Sequence, residues 1–471
     1  MALRLFHEMA KRVPAYKKFL DAHDINVRSI KTISDFKKLP MLDKDNYLRK
    51  YSKSELCWDG VFKDTSWVIS STSGSSGEPF YFPRQDLQDH RYATTAELYL
   101  RNNFKIHERS TLYVNAFAMG VWIGGIFTYE AVKQVAQKGY RLSIITPGIN
   151  KTETIKAIQR LGPDFDQVII GSYPPILKDI LDDGIRAGLD WNDYNLGIIF
   201  SAEGFSEDFR DYVIKKAGLK NEYLSTLNHY GTVDLGTMSH ETPLSVMARR
   251  IAVKDTKLQE AVFGQLDKLP TLTQFLPEAF YFEDDDGKLL CSSYSGIPLV
   301  RYDLKDQGGI LSLSQLKDTF SSFHIDLDQE AASVGIDNTT WNLPFVHVYE
   351  RSDFSVSFLG FQIYPEPVRK ALNLPQFHER LTGKFSMIVD YDKKAEQYLQ
   401  IHVELKAGTK ETEQLSKQTR EAIKSMLIQH NPIYKMNQET LGDRVLPIIT
   451  FWGYEDPAHF GGGGKQKWIK K

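Results

Sequence analysis

The stretch best equipped for chemistry is Ser70-Ser-Thr-Ser-Gly-Ser-Ser-Gly-Glu-Pro79, where eight of ten residues are Ser, Thr or Gly. Backbone N–H groups and hydroxyls can converge there with little side-chain bulk, which is what wrapping a polyphosphate requires. It is not a Walker loop, because Gly74 is not followed at the right spacing by Gly-Lys-Ser/Thr. The same composition also describes a solvated surface loop. Other chemistries lack their residues. The two cysteines, Cys57 and Cys291, stand far apart without a Cys/His cluster, which argues against a disulfide scaffold or structural zinc and fits a reducing cytosol. The twelve histidines form no His-x-x-x-His spacing and no Ser/His/Asp grouping.

These residues need a scaffold, and 471 residues exceed the ~250–300 that one core supports, so two to four folding units are expected. Apolar residues at 42% and charged residues at 25% match an ordinary globular chain. With 58 basic against 60 acidic residues and a net charge of −2, nothing calls for nucleic acid or an anionic membrane as partner. The N-terminus lacks a signal-peptide core. The longest uncharged apolar stretch, residues 116–127, is broken by glycines and shorter than the ~18 residues of a membrane span. A cytoplasmic protein is the expectation.

Residues 1–60 read as helical, with Leu5, Met9, Val13, Tyr16 and Leu20 on one face and Ser34 as the N-cap of a short helix ending before Pro40. From Ser66 onward, β-like runs (67–69, 111–115, 142–145, 168–170, 196–200) alternate with amphipathic stretches (152–161, 176–187, 207–217). That alternation predicts an α/β architecture with substantial parallel sheet. Asp284-Asp-Asp-Gly287 reads as a hairpin turn. Strand-like segments at 354–358, 385–389 and 399–403, with a helix over 411–430, predict a small α+β domain of about 120 residues. The expected division is 1–350 and 351–471.

Thr72-Ser-Gly-Ser-Ser-Gly-Glu-Pro79 resembles the phosphate loop of the adenylate-forming superfamily, which includes acyl-CoA synthetases, peptide-synthetase adenylation domains and luciferases. Five further segments resemble that superfamily's other signatures, in its order. Asn228-His-Tyr-Gly-Thr-Val-Asp234 is similar to Tyr-Gly-x-x-Glu, and Phe200-Ser-Ala-Glu-Gly204 to the adenine-supporting turn. Pro298-Leu-Val-Arg-Tyr-Asp-Leu-Lys-Asp306 is similar to the ribose segment, and Glu350-Arg-Ser-Asp353 to the hinge. Gly464-Lys-Gln-Lys-Trp-Ile469 is similar to the terminal lysine loop.

The resemblance implies a large N-terminal α/β adenylate-forming domain and a small mobile α+β C-terminal domain. It implies nucleotide contacts from Thr72, Ser73, Gly74, Ser75, Ser76, Gly77, Ser201, Ala202, Glu203, His229, Tyr230, Gly231, Thr232, Asp306 and Arg351. Asp234 would help hold Mg²⁺, although it is one methylene shorter than the usual Glu. Asp353 would be the hinge. Lys465, or failing it Lys467, would catalyse adenylation, with Thr232 at the α-phosphate. His229 is otherwise readable as a packed structural histidine.

Arg12-Val-Pro-Ala-Tyr-Lys-Lys-Phe-Leu20, Ile30-Lys-Thr-Ile-Ser-Asp-Phe-Lys-Lys-Leu-Pro40 and Lys44 resemble the phenylacetate-CoA ligase group. The chain departs from that group at Glu78, where a Lys is usual, and in residues 311–345, an insertion containing a helix. Phe117, Trp122, Gly124 and Tyr173 would line a flat apolar slot for an aryl or short hydrophobic acid, or else belong to the core. The implied activity is ATP-dependent conversion of a carboxylic acid to an acyl-adenylate with release of pyrophosphate, then acyl transfer to a thiol. Coenzyme A is the first choice. A separate carrier protein or an amine as acceptor, a homodimer, and a non-catalytic adenylate-binding module are left open.

Overall fold

The computed structural model describes residues 1–72, 80–202, 204–264, 269–349, 356–358, 361–391, 397–431, 434–435, 438–439 and 442–460. Leu5, Met9, Val13, Tyr16 and Leu20 are all buried, but they belong to two helices, Ala2–Arg12 and Pro14–Asp21. Pro14 has no N–H to continue the first helix, and Val13 before it is extended. The short helix that follows, Ile33–Phe36, is capped by Thr32 rather than Ser34. Asp35 decides this: its N–H reaches the Thr32 hydroxyl at 3.2 Å while its carboxylate accepts the Thr32 N–H at 3.0 Å.

Strands β1 (Val68–Ser71) and β2 (Tyr81–Arg84) form an antiparallel pair. An eleven-stranded sheet follows. Its strands are β3 (Thr111–Asn115), β4 (Leu142–Ile145), β5 (Gln167–Ser172), β6 (Leu196–Ser201), β7 (Thr226–Thr232), β8 (Gly236–His240), β9 (Thr271–Phe275), β10 (Tyr281–Asp285), β11 (Lys288–Ser293), β12 (Leu299–Leu311) and β13 (Phe345–Val348). Their order is β10-β11-β12-β13-β9-β8-β7-β6-β5-β3-β4. The half from β4 to β7 is parallel and the other half antiparallel. Runs such as Val168-Ile-Ile170 are apolar without alternation because helices cover both faces of the parallel half.

The insertion at 311–345 contains two helices, Leu313–Ser322 and Leu327–Ser333, where one was expected. Leu316, Phe320 and Leu327 bury against Leu244, Met247 and Val262, and the segment ends in β13, inside the sheet between β9 and β12. The insertion is therefore part of the scaffold.

Beyond it lie β14 (Val356–Phe358), β15 (Phe361–Ile363), β16 (Leu381–Tyr391), β17 (Gln397–Leu405) and β18 (Ile448–Trp452), with helices Pro365–Leu372 and Glu413–His430. Leu415, Ala422, Ile423 and Leu427 of the long helix join a core drawn wholly from residues beyond 355. The fold is thus a large α/β unit followed by a small α+β unit with its own core. Among the described residues, no helix is long and apolar enough to cross a membrane.

Candidate active site at the strand ends

The parallel strands bring the candidate segments together. In register, Asn115 of β3 lies beside Gly171 of β5, Ser172 beside Phe200 of β6, and Ser201 beside His229 of β7. Their carboxyl ends therefore deliver residues 115–125, Tyr173, Ser201–Ala202 and Tyr230–Thr232 to one edge, where open α/β sheets hold ligands. The β1–β2 pair closes on the same edge, since Ser71 N–H donates to the Val121 carbonyl at 2.9 Å. Thr72 ties off the Ser/Gly tract: its hydroxyl accepts the Phe80 N–H at 2.9 Å and its own N–H reaches the Phe80 carbonyl at 3.0 Å.

Two motifs distant in sequence meet directly. The Tyr230 hydroxyl donates to Asp306 Oδ2 at 2.6 Å across a separation of 76 residues. Gly231 allows the approach of β8, because a Cβ there would stand 2.6 Å from the Gly236 carbonyl oxygen. The Thr232 hydroxyl accepts the Leu235 N–H at 3.2 Å and shapes the turn that carries Asp234. Asp234 Oδ2 accepts from the Tyr302 hydroxyl at 2.5 Å and lies 3.5 Å from Lys44 Nζ.

Lys44 and Tyr302 are site residues to which sequence reasoning gave no role. Lys44 arrives because residues 39–43 dock along β12. Leu42 N–H donates to the Arg301 carbonyl at 3.1 Å, Asp303 N–H donates to the Leu42 carbonyl at 2.8 Å, and Lys305 pairs with Asp43 at 3.1 Å. Arg301 adopts φ +46° there, held by Glu283 at 3.1 Å and the Leu39 carbonyl. The Lys44 ammonium sits 6.0 Å from the ring centre of Phe82, two residues past the base of the Ser/Gly tract. Lys44 was a motif residue in the opening segment, and that was the only available signal.

Two residues expected either in the apolar slot or in the core are buried together. Phe117 packs edge-on to Tyr173 at 5.2 Å, and the Ala118 N–H donates to the Tyr173 hydroxyl at 3.3 Å. Gly124 borders both: a Cβ would lie 3.0 Å from that hydroxyl and 3.6 Å from Phe117 Cβ. Ala202, at φ +73°, packs against this group and links the β6 turn to it. Trp122, also expected in the slot, is 37% exposed at the N-cap position of the helix Ile123–Ala136, with no side-chain capping bond.

His229, expected at the nucleotide, lies elsewhere. Successive strand residues face opposite sides, so with Tyr230 towards Asp306, His229 turns under the helix Asp86–Asn102. Its ring is 4.9 Å from that of Tyr99 and 6.0 Å from that of Tyr92. Burial, with His240 alongside, holds it well below the usual histidine value, and burial pushes His240 down to about 3. Both are neutral packing residues.

The β6 turn is fixed from behind by a buried ionic knot that carried no motif. Arg210 meets Glu207 at 2.8 Å and Glu241 at 2.7 Å, while Arg249 meets the same two carboxylates at 2.9 and 2.8 Å. Glu241 also accepts the β7 N–H of Asn228 at 2.8 Å, and Arg249 donates to the Phe205 carbonyl at 2.8 Å. The turn and the Tyr230 strand are therefore locked to each other. Ser73, Gly74, Ser75, Ser76, Gly77, Glu203, Arg351, Asp353, Lys465 and Lys467 lie outside the described residues.

No protein-family model matches the chain, and no curated protein matches it. Solved structures do. A 2-hydroxyisobutyryl-CoA ligase in its postadenylation state, in complex with R3-HIB-AMP, overlays with a TM-score of 0.64 at 14% identity, covering 100% of this chain and 88% of that one. The chain shares the overall fold of that ligase. The same ligase with 2-HIB-AMP and CoA in its thioesterification state overlays less well, at 0.54 and 14% identity, with the same coverage.

Proposed function

We propose that this chain is an AMP-forming acid–thiol ligase of the phenylacetate-CoA ligase-like group. The observation that carries the proposal is the Tyr230–Asp306 contact at the carboxyl ends of the parallel strands, in a fold shared with a ligase crystallised with an acyl-adenylate. Asp306 would accept from the ribose hydroxyls, and Tyr230 would pack beside the adenine. The Ser/Gly tract beyond Thr72 would hold the departing pyrophosphate, with Lys44 adding positive charge beside Phe82. Lys44 brings the positive charge that Glu78 does not.

The acid carboxylate attacks the α-phosphorus, a P–O bond to the pyrophosphate breaks, and an acyl-adenylate forms. Positioning and electrostatics carry such a step, so the protein needs no covalent chemistry. Asp234, whose Oδ2 is engaged by Tyr302 and Lys44, would hold Mg²⁺ as a single carboxylate working beside substrate phosphates. Among the described residues, no cluster of three His, Cys, Asp or Glu offers a protein-only metal cage. When bound, the ion would neutralise charge on the phosphates.

A division at 350/351, with Asp353 as hinge, would let the smaller unit turn before the thiol of coenzyme A displaces AMP. The Phe117–Tyr173 slot suits an aryl or short hydrophobic acid. Lys465→Ala should lower adenylation by ~10²–10³ while sparing acyl transfer from supplied acyl-adenylate, and Lys467→Ala should be mild. The deciding measurement is acid-dependent ATP–pyrophosphate exchange across aryl, short-chain and long-chain acids. Exchange with none of them would overturn the proposal.

A further inference from the structure

The helix Pro174–Arg186 starts at Tyr173 in the acid slot and carries Lys178, Asp179, Asp182 and Asp183 to the smaller unit. Asp182, 5% exposed, has four partners. Lys406, just past β17, lies 2.8 Å from Oδ2 and Lys178 lies 3.2 Å from it. Lys216 is 2.9 Å from Oδ1, and the Tyr212 hydroxyl donates to Oδ1 at 3.1 Å. Asp179 meets Lys384 of β16 at 3.0 Å, and Lys384 reaches Glu404 of β17 at 3.2 Å. Lys151 crosses the same boundary to Glu455 at 3.0 Å and to the Tyr454 hydroxyl, while lying 3.4 Å from Asp183.

The arithmetic of charge separates this lattice from an ordinary buried ion pair. On the large unit, three aspartates face Lys151, Lys178, Lys216 and Arg186; on the small unit, Glu404 and Glu455 face Lys384 and Lys406. Each of the three aspartates therefore has a cation on its own unit. Separating the units would leave none of them without one and would expose polar groups that water can satisfy. A permanent apolar interface lacks that property. The cations that pair across the boundary in this lattice, Lys151, Lys384 and Lys406, are lysines, whose flexible ammonium groups can re-pair, whereas a guanidinium fork fixes one geometry.

We infer that this lattice is a reversible latch, with Asp182 and Asp179 as positioning residues that hold the small unit in the arrangement serving adenylation. The inference rests on the proposed function for the identity of that step. The greater overlap with the postadenylation form than with the thioesterification form supports assigning the arrangement to the first half-reaction.

The test uses the full chain with Gln159→Cys and Gln418→Cys, one exposed position on each unit, spin-labelled for distance measurement. Both native cysteines are buried, and burial pushes the Cys57 thiol up to about 12, so neither competes for label. Lys406→Gln leaves Asp182 paired with Lys178 and Lys216, so the fold is spared. It should broaden and shift the distance distribution. It should also lower acid-dependent ATP–pyrophosphate exchange about tenfold or more, with transfer from supplied acyl-adenylate to CoA within about twofold. Lys406→Arg should restore the distance. Lys216→Gln removes an Asp182 partner from within the large unit and should leave the distance unchanged.

An unshifted distance in Lys406→Gln combined with Lys384→Gln would overturn the latch, as would an equal shift in Lys216→Gln. Wild-type protein without exchange on any acid would overturn the functional proposal, while the distances would still decide the latch.

Discussion

Two buried ionic clusters do opposite work in this chain. The Glu207–Arg210–Glu241–Arg249 knot lies inside the large unit and is built on arginines, each bridging both carboxylates. It also grips backbone on both sides, at Asn228 N–H and the Phe205 carbonyl. The Asp179–Asp182 lattice lies between units, is built on lysines, and pairs mainly side chain to side chain. Planar five-donor forks suit a contact that must hold one geometry, and point charges on flexible stems suit one that must be remade. The difference teaches that these two clusters are distinguished by cation type more than by degree of burial, although Arg369 also crosses between the units to the Gly204 carbonyl.

Breaking the knot should give the largest effect. Glu241→Ala leaves Arg210 and Arg249 with only one of their two shared carboxylates, Glu207, which should cost ~3–5 kcal/mol of stability. Urea denaturation of the large unit's transition measures it, and a loss below ~1 kcal/mol would remove the knot as scaffold. Next comes the site that the knot positions. Asp306→Ala should weaken ATP by ~1.5–3 kcal/mol, read by calorimetric titration, with the unfolding midpoint nearly unchanged. An exchange of cations sharpens the comparison further. Arg249→Lys cannot reach Glu207, Glu241 and the Phe205 carbonyl together and should destabilise by ~1–3 kcal/mol. Lys406→Arg in the lattice should stay within ~1 kcal/mol by the same assay.

Much of this arrangement was legible beforehand. Val168-Ile-Ile170 and Leu196-Gly-Ile-Ile-Phe200 announce strands because a parallel sheet buries both faces, and Leu415 to Leu427 announce a helix by their spacing. Tyr230 and Asp306 were named as nucleotide residues from motif order, and the fold brings them into contact. Of the two readings of His229, the packed structural one holds, as strand alternation opposite Tyr230 requires. Lys44 could not be assigned a role, because it reaches Asp234 through the docking of residues 39–43 on β12, some 260 positions away in the chain. Neither ionic cluster left a sequence mark, since both depend on which helices the sheet order makes neighbours. Of the slot residues, Phe117 and Tyr173 pack together, while Trp122 is exposed at the start of the helix from Ile123.

The smallest expected effect is that of mild acid on the latch. Burial alone would raise the Asp182 carboxyl, but Lys178, Lys406 and Lys216 outweigh it and hold the group well below the ordinary carboxylate range. A folded value below the unfolded one means that the pairing contributes fully above the unfolded value and is lost only as pH falls through the depressed one. Glu207 in the knot has the same sign, Arg210 and Arg249 outweighing its burial. Glu404 runs the other way: burial raises it despite Lys384, so its ionised form is a cost near neutrality that acid relieves. His378, whose ring lies 4.7 Å from that of Tyr212, is lowered by burial. Asp182, held low, does not open the lattice between about pH 8 and about pH 5.5. The labelled distance between positions 159 and 418 should therefore be constant over that span. A transition within it would mean that a group other than Asp182 governs the joint, and would set His378 or Glu404 in its place.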